Sequence, residues 1–136
     1  MDGNSLVVSS DPSQIDREFL CRALPRQYWA GERTRDEILR SLDHSFCFSV
    51  LWEGRQIGFA RVITDRATFA YLCDVFVLPE FQRRGVASHL MRRVLCEPGL
   101  QKVNWMLRTR DAHGFYERHG FLLSRRSERY MEKISV

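Results

Sequence analysis

The sequence lacks any close pairing of cysteines. It has four cysteines in 136 residues, each among apolar neighbours and none in a Cys-x-x-Cys pair: Cys21, Cys47, Cys73 and Cys96. A disulfide framework or a structural zinc site needs closer spacing. The histidines form no His-x-x-x-His pair either, and His113 and His119 fall on different faces of a helix. The sequence therefore predicts no metal site and no disulfide, and it indicates that the thiols serve as small hydrophobic side chains.

Long hydrophobic runs are also missing. Stretches such as Val75–Leu78 are far shorter than the roughly 20 apolar residues that a membrane-spanning helix needs. The first five residues include Asp2 and no basic side chain, so no secretion signal is expected. A cytoplasmic protein without a membrane partner is the default expectation.

Internal repeats, low-complexity tracts and linkers rich in proline, glycine or serine are absent as well. With 136 residues, 44% of them hydrophobic, the chain has the length and composition of one domain with its own core. A single domain over residues 1–136 is therefore predicted. Neither Gly-x-x-x-x-Gly-Lys-Ser/Thr nor Gly-x-Gly-x-x-Gly occurs, so neither a nucleotide P-loop nor a dinucleotide-binding fold is indicated.

Positive charge is concentrated in one part of the chain. The formal net charge is +4, and residues 82–110 contain seven Arg or Lys residues against one acidic residue, Glu97. Such a segment attracts a polyanion, either a nucleic acid or a phosphorylated cofactor. A nucleic-acid binder would interleave aromatic side chains with the basic ones, and only Trp105 does so here. Nucleic acid is therefore not the expected partner.

Periodicity predicts a mixed sheet with flanking helices, an α/β (α+β) fold. A short strand at residues 6–8 precedes two helices, residues 11–24 and 34–42, the second with Thr34 as N-cap and Glu37 completing a capping box. Alternating residues predict three antiparallel strands with a hairpin turn at Gly54. The strands span residues 46–51, 56–64 and 68–78.

The second half of the chain alternates helices and strands. We expect a helix at 86–95, a strand at 103–107 parallel to the preceding one, and a short helix at 112–119 with Gly120 as its left-handed cap. Two last strands, 121–125 and 129–134, are expected to close the chain. The sheet is thus mostly antiparallel with one parallel step.

The segment Gln82-Arg83-Arg84-Gly85-Val86-Ala87 is a basic loop between a strand and a helix. Free N–H groups and the dipole at a helix start form an anion site, and Gly85 lets the backbone approach a phosphate closely. The alternative is an ordinary loop with solvated arginines, and a lone glycine in such a place would usually be that.

Two motifs together resemble the GNAT family of N-acetyltransferases. Gln82–Ala87 resembles that family's Arg/Gln-x-x-Gly-x-Gly/Ala signature and follows a strand ending in Val-x-Val-x-Pro. Asp111–Phe121 resembles the family's Asn-Ala-x-x-x-Tyr-x-x-x-Gly-Phe element, with Asp111 in place of the Asn. The resemblance covers residues 46–134 and implies an N-acetyltransferase with the acyl-CoA N-acyltransferase fold, in which two parallel strands splay apart.

The resemblance also implies a binding site for acetyl-CoA. The main chain of the central strand would bond the pantetheine arm as an added strand, with the N–H near Val75 polarising the thioester carbonyl. The loop and helix start would hold the pyrophosphate. The residues so assigned are Val75, Phe76, Val77, Gln82, Arg83, Arg84, Gly85, Val86, Ala87 and Ser88.

Tyr116 matches the residue that family members use to protonate the departing thiolate. A phenol of pKa about 10 can donate to a thiolate of conjugate pKa about 8.5 when the two are held close. The competing interpretation is that Tyr116 only packs a short helix on the sheet. With the glycine loop present, the catalytic role is favoured.

The general base is less determined. Asp74 is the acid in the central strand, and it is either the base that deprotonates the amine or a structural carboxylate bonded to a partner such as Arg61. A water chain without a dedicated base is a third option. Cys73 in the same strand is more simply a buried thiol than an acetyl carrier, so direct transfer is expected.

The acceptor is expected to be a primary amine, most simply of a small molecule, and its identity is open. Tyr28 and Trp29, between the first two helices, either contact it or pack on the sheet edge. Acidic residues of those helices either attract a cationic amine or are solvated. They are Glu18, Glu32, Asp36 and Glu37. A CoA-binding module without catalysis is the rival function, and a homodimer is compatible with the sequence.

Overall fold

Five strands form one sheet in the order β1-β2-β3-β4-β5 in the computed structural model, which describes residues 5–135. The first four strands are antiparallel neighbours, and β5 runs parallel to β4. The antiparallel meander and the single parallel step are therefore confirmed. The bounds are β1 (Leu6–Ser9), β2 (Phe46–Trp52), β3 (Arg55–Thr64), β4 (Phe69–Val77) and β5 (Asn104–Leu107).

Helices cover both faces of this sheet. The bounds are α1 (Arg17–Ala23), α2 (Arg35–Asp43), α3 (Val86–Leu95) and α4 (His113–Glu117). The apolar stripe of α3 packs on one face, where Leu90, Met91 and Val94 are buried against residues such as Phe48. Residues of α1 and α2 pack with Phe59 on a second cluster. Burying one such large apolar side chain stabilises the fold by about 1.5–3 kcal/mol.

The prediction of one continuous helix at residues 11–24 is wrong, because the segment forms two separate helices. Asp11 caps only a short 3-10 helix, Pro12–Gln14, and the chain is extended again at Ile15. The α-helix α1 begins after Asp16, whose carboxylate accepts a hydrogen bond from the Phe19 N–H at 3.0 Å. Asp11 and Asp16, five residues apart, each cap the N-terminus of a helix, so the segment forms two helices instead of one.

The start of α2 and the end of α4 form as predicted. The capping box of α2 is present, with the Thr34 side chain accepting from the Glu37 N–H and the Glu37 side chain accepting from the Thr34 N–H. At the end of α4, Gly120 has φ +94°, and the N–H groups of Gly120 and Phe121 donate to the carbonyls of Glu117 and Tyr116. This is a Schellman motif, which fixes where α4 stops.

The two closing strands predicted at residues 121–125 and 129–134 do not form. The described part of this segment contains one 3-10 helix, Ser127–Arg129, and pairs with no strand. Leu122, Leu123 and Met131 are exposed there. An alternating pattern predicts side-chain polarity, but a strand also needs a hydrogen-bonding partner, which residues 121–135 lack. Within residues 5–135, no helix has both the length and the apolar character to cross a bilayer.

Candidate active site

A β-bulge in β4 shapes the site. In the pairing of β3 with β4, Phe59 lies opposite Phe76 and Arg61 lies opposite Cys73, so β4 carries one residue more than β3 in this interval. Asp74 takes up the extra length with φ +54°, a left-handed conformation that is uncommon for a residue with a side chain. The bulge bends β4 and turns the Asp74 side chain into the interior, where it is buried.

The bulge coincides with the point where β4 and β5 separate. Their parallel pairing runs from Phe69 opposite Asn104 to Leu72 opposite Leu107 and goes no further. Beyond it, the Leu78 N–H donates to the Ile57 carbonyl on the β3 side at 2.8 Å. Because backbone groups of a strand alternate between its two edges, those of Val75 and Val77 point toward the gap. A splayed parallel pair with an open strand edge is therefore present.

The loop after β4 has the geometry of an anion cradle. Gly85 has φ +79° and caps α3 without any side-chain hydrogen bond to the helix N-terminus. The first N–H bonded within the helix is that of His89, so the N–H groups of Gly85 to Ser88 have no helical acceptor. A Cβ built on Gly85 meets no atom within 4 Å, so the backbone there borders open space. These features fit a pyrophosphate placed at the start of α3.

Gln82 connects this loop to the open strand edge. Its side-chain nitrogen donates to the Val77 carbonyl at 2.9 Å, which uses one of the backbone acceptors in the gap. The loop is thereby fixed relative to β4. Arg83 has φ +64°, so this loop contains two left-handed residues, 83 and 85.

A cavity of about 740 Å³ occupies the gap between the separated strands. Its walls come from β4, from the linker between α1 and α2, and from the segment that connects β5 to α4. Eight of the candidate residues line it: Tyr28, Trp29, Asp74, Val75, Phe76, Val77, Gln82 and Tyr116. The other six, Arg83, Arg84, Gly85, Val86, Ala87 and Ser88, are not among its lining residues and follow Gln82 along the chain.

The Asp74 carboxylate is held by three side chains. Oδ1 accepts from Trp29 Nε1 and from Arg33 Nη1, each at 2.8 Å, and Oδ2 accepts from Arg33 Nη1 and Arg61 Nε, each at 2.7 Å. Burial opposes ionisation of this carboxyl group, but the bonds and charges of Arg33 and Arg61 outweigh it and hold the pKa below its ordinary value. A carboxylate so engaged is a poor proton acceptor, which favours the structural alternative for Asp74.

Arg33 is the site residue that sequence analysis missed. It lies directly before the α2 cap, 41 residues from Asp74, and it lines the cavity. A single arginine in a loop carries no pattern that assigns it a partner. Arg61, the partner that the sequence suggests for a structural Asp74, makes this contact and also donates to Ser45 Oγ at 3.0 Å.

Tyr116 projects from α4 into the same cavity as Val75 and Asp74. Its ring packs edge-on against Phe115 and Phe121, with centroid distances of 5.1 and 5.9 Å. Burial, with a smaller contribution from Tyr28, raises the pKa of Tyr116 to about 12. The phenol therefore keeps its proton at neutral pH, and the higher pKa makes it a weaker acid than an ordinary tyrosine.

The two aromatic residues of the α1–α2 linker reach different parts of the site. Trp29 bonds Asp74, whereas the Tyr28 hydroxyl accepts from the Arg110 N–H at 3.3 Å. The Arg110 guanidinium lies 3.7 Å from the centroid of the Tyr28 ring. Tyr28 thus bridges the linker and the β5–α4 segment.

The thiols near the site are poor nucleophiles. Burial raises the pKa of Cys73 to about 11 and that of Cys47 to about 12. The thiolate is the reactive form, and it is scarce at neutral pH in both residues. No group of three or more His, Cys, Asp or Glu side chains that could hold a metal ion occurs in the part of the chain that the structure describes.

Comparison with known proteins identifies the fold. Residues 43–122 match the model of the acetyltransferase (GNAT) domain. The chain belongs to the GNAT acetyltransferase family. The match includes β2 to β5, the Gly85 loop, α3 and Tyr116, and it excludes the linker with Tyr28, Trp29 and Arg33. The resemblance inferred from the two motifs is confirmed, and the protein is an acetyltransferase.

Relatives agree with this assignment. A crystal structure of a protein named as a GNAT-family acetyltransferase from Xanthomonas campestris pv. campestris superposes with a TM-score of 0.92 at 43% identity, covering 96% of this chain and 93% of that one. A protein of Gibberella zeae named as an acetyltransferase is 32% identical over 77% of this chain and 72% of its own length. An aminoglycoside N(6')-acetyltransferase type 1 of Salmonella typhimurium is 33% identical over 62% of this chain and 68% of its own length.

Proposed function

We propose that this GNAT acetyltransferase moves an acetyl group from acetyl-CoA to a primary amine of a small molecule, by direct transfer in a ternary complex. The observation that carries the proposal is the combination of three features. The open edge of β4 and the Tyr116 side chain line the cavity between β4 and β5, and Gln82, which also lines it, leads into the uncapped start of α3 at Gly85.

Each feature matches one part of the donor. The Val75 carbonyl and the Val77 N–H, which point toward the gap, suit the amides of a pantetheine arm, in the manner of an added strand. The N–H groups from Gly85 to Ser88, with Arg83 and Arg84 adjacent, suit the pyrophosphate. Acetyl-CoA, when bound, supplies the activated thioester, and the residues of this chain orient it.

The transfer needs one proton removed and one delivered. The neutral amine attacks the carbonyl carbon, a C–N bond forms, and the C–S bond breaks with its electron pair on sulfur. The Val75 N–H donates to the carbonyl oxygen as charge develops there. Tyr116 donates its proton to the thiolate, and the proton lost by the amine goes to water or returns to Tyr116 through water.

Asp74 is a positioning residue in this proposal. Its carboxylate accepts four hydrogen bonds from Trp29, Arg33 and Arg61 and so holds these side chains in fixed places around the cavity. The amine then enters as the free base or loses its proton to solvent. Cys73 takes no part, because its thiol is held protonated.

A small acceptor is consistent with a cavity of about 740 Å³ that must also hold the reactive end of the donor. A relative is named for acetylating aminoglycosides, which are amines, and this agrees with an amine acceptor here. A single-domain chain, a cytoplasmic location, a homodimer and the absence of a nucleic-acid partner belong to the proposal and rest on the sequence alone.

The test is a panel of primary amines incubated with the enzyme and acetyl-CoA, with acetylated product and free CoA followed by mass spectrometry. Thiol reagents are unsuitable because Cys96 is exposed. Stoichiometric release of CoA with acetyl-amine supports the function. Tight binding of acetyl-CoA without product from any amine would leave a CoA-binding module instead.

A further inference from the structure

The cavity has an excess of positive charge. Four arginines line it (Arg33, Arg61, Arg108 and Arg110), against two aspartates, Asp74 and Asp111. At the rim, Arg108 pairs with Glu132 at 3.0 Å and Arg110 with Asp111 at 3.4 Å, and all four side chains are largely exposed. Solvent screens these rim pairs. The buried charges at the deep end of the cavity therefore have a larger effect on a bound molecule than the pairs at the rim.

At the deep end, one carboxylate serves two guanidinium groups. Asp74 is buried and bonded to both Arg33 and Arg61, so the cluster of these three side chains has a net charge of +1. Arg33 uses only Nη1 for both of its bonds to Asp74. Its Nε and Nη2 donors have no acceptor among residues 5–135, and 28% of its side-chain surface is exposed. Arg33 can therefore bind a further anion without giving up Asp74.

The acidic residues of the helices do not offset this charge. Glu18 pairs with Arg35, Asp36 pairs with Arg40 at 2.9 Å, and Glu37 is part of the α2 capping box. Glu32, the fourth of these acidic residues, lies next to Arg33 in the chain and is exposed. None of the four lines the cavity. The earlier option that these carboxylates attract a cationic acceptor is therefore not favoured.

We propose that the acceptor amine carries an anionic group, a carboxylate or a phosphate, which binds the free N–H donors of Arg33 beside Asp74. This inference rests on the proposed function. A guanidinium offers a planar pair of donors that matches either oxyanion, and charge-assisted bonds of this kind are strong. A polycationic amine meets like charge in the same place and is a poor acceptor.

Matched amines test the proposal. Lysine and cadaverine differ by one carboxylate, and O-phosphoethanolamine and ethanolamine differ by one phosphate. We expect kcat/KM to be at least about 10-fold higher for the anionic member of one pair, the loss expected for one charge-assisted hydrogen bond. The pair with the larger ratio identifies the anion. Kanamycin, a polycation, is expected to be the weakest acceptor.

Three variants assign the effect to Arg33. Arg33→Gln should reduce the anionic preference to within about twofold, mainly through KM, while Arg33→Lys should retain part of it. Arg40→Gln removes an exposed arginine of α2 outside the cavity and should leave the preference unchanged.

A binding measurement separates this inference from the proposed function. With saturating CoA present, glutarate should shift the NMR signal of the Arg33 Nε–H group, and cadaverine, of equal chain length, should not. Lack of any acetylated product would contradict the proposed function but leave this result decisive. Cadaverine or kanamycin equalling the anionic amines, or glutarate leaving the Arg33 signal unmoved, would overturn the inference.

Discussion

Arg61 Nε donates to Oδ2 of Asp74 at 2.7 Å, at the bulge in the pairing of β3 with β4 and just beyond the last paired residue of β4 and β5. Asp74, which interrupts the regular pairing of β4, thus has its negative charge balanced by Arg61 on β3. Asp74 has a left-handed backbone conformation, and in this conformation its carboxylate contacts Arg61, Arg33 and Trp29 together. The backbone geometry at the bulge therefore determines which charged side chains meet in the cavity.

Replacing Asp74 tests whether it positions or catalyses. Asp74→Asn places an NH2 group against two guanidinium groups and removes the charge that balances them. We expect the free energy of unfolding to fall by about 3–5 kcal/mol, the range for breaking a buried ion pair. Urea denaturation at pH 7 measures it. A variant as stable as wild type with kcat reduced 100-fold or more would make Asp74 the general base.

The Asp74 pKa also predicts how stability depends on pH. The folded-state pKa of this carboxyl group is below its ordinary value of 3.8. The stabilisation is therefore complete above the unfolded-state pKa and is lost as pH falls through the lower folded-state value. Urea unfolding between pH 7 and pH 2 should show a loss in wild type that is smaller in Asp74→Asn.

Cys73 is expected to be dispensable. Cys73→Ala should keep at least about half of wild-type kcat, because the thiol has a pKa of about 11 and supplies little thiolate at neutral pH. Initial rates with both substrates varied should give intersecting lines in a double-reciprocal plot. Parallel lines, or acetylated enzyme in intact-protein mass spectrometry, would indicate an acetyl-cysteine intermediate instead.

Tyr116→Phe removes one oxygen and leaves the ring contacts with Phe115 and Phe121. Loss of a positioned acid should lower the single-turnover rate by about 10²–10⁴-fold, with little change in acetyl-CoA affinity. Single-turnover rates are preferred because product release can mask a chemical defect. Tyr130→Phe, at an exposed tyrosine outside the active-site cavity, is the matched control. A Tyr116→Phe rate within twofold of wild type would leave Tyr116 with a packing role only.

Local patterns predicted the elements whose structure depends on local chemistry. The period of Val86 to Leu95 defined α3, and Thr34 with Glu37 defined the start of α2, because caps and apolar stripes are set within a few residues. Residues 121–134 were mispredicted as strands because pairing depends on a distant partner. Asp16 caps a second helix start five residues after Asp11, so two pieces form where the apolar spacing predicts one helix.

The site divides in the same way. Gly85 and Tyr116 belong to motifs that sequence spacing indicates. In the structure Tyr116 lines the cavity and Gly85 caps the start of α3. The Asp74 cluster joins residues 29, 33, 61 and 74 through a bulge that no periodicity indicates. The net charge of this cluster, from which the anionic group of the acceptor is inferred, can be seen only in the three-dimensional structure.

Acetyl-CoA binding to Gly85→Glu, measured by isothermal titration calorimetry, tests the central claim most directly. The new carboxylate extends from a backbone that borders open space at the start of α3, where the pyrophosphate is expected. Two controls isolate the effect: Gly85→Ala keeps the left-handed strain without the charge, and Gly99→Glu adds the same charge beyond α3. We predict affinity reduced at least about 100-fold in Gly85→Glu alone, through lost charge-assisted bonds and steric exclusion. Wild-type affinity in a folded Gly85→Glu variant would contradict the account.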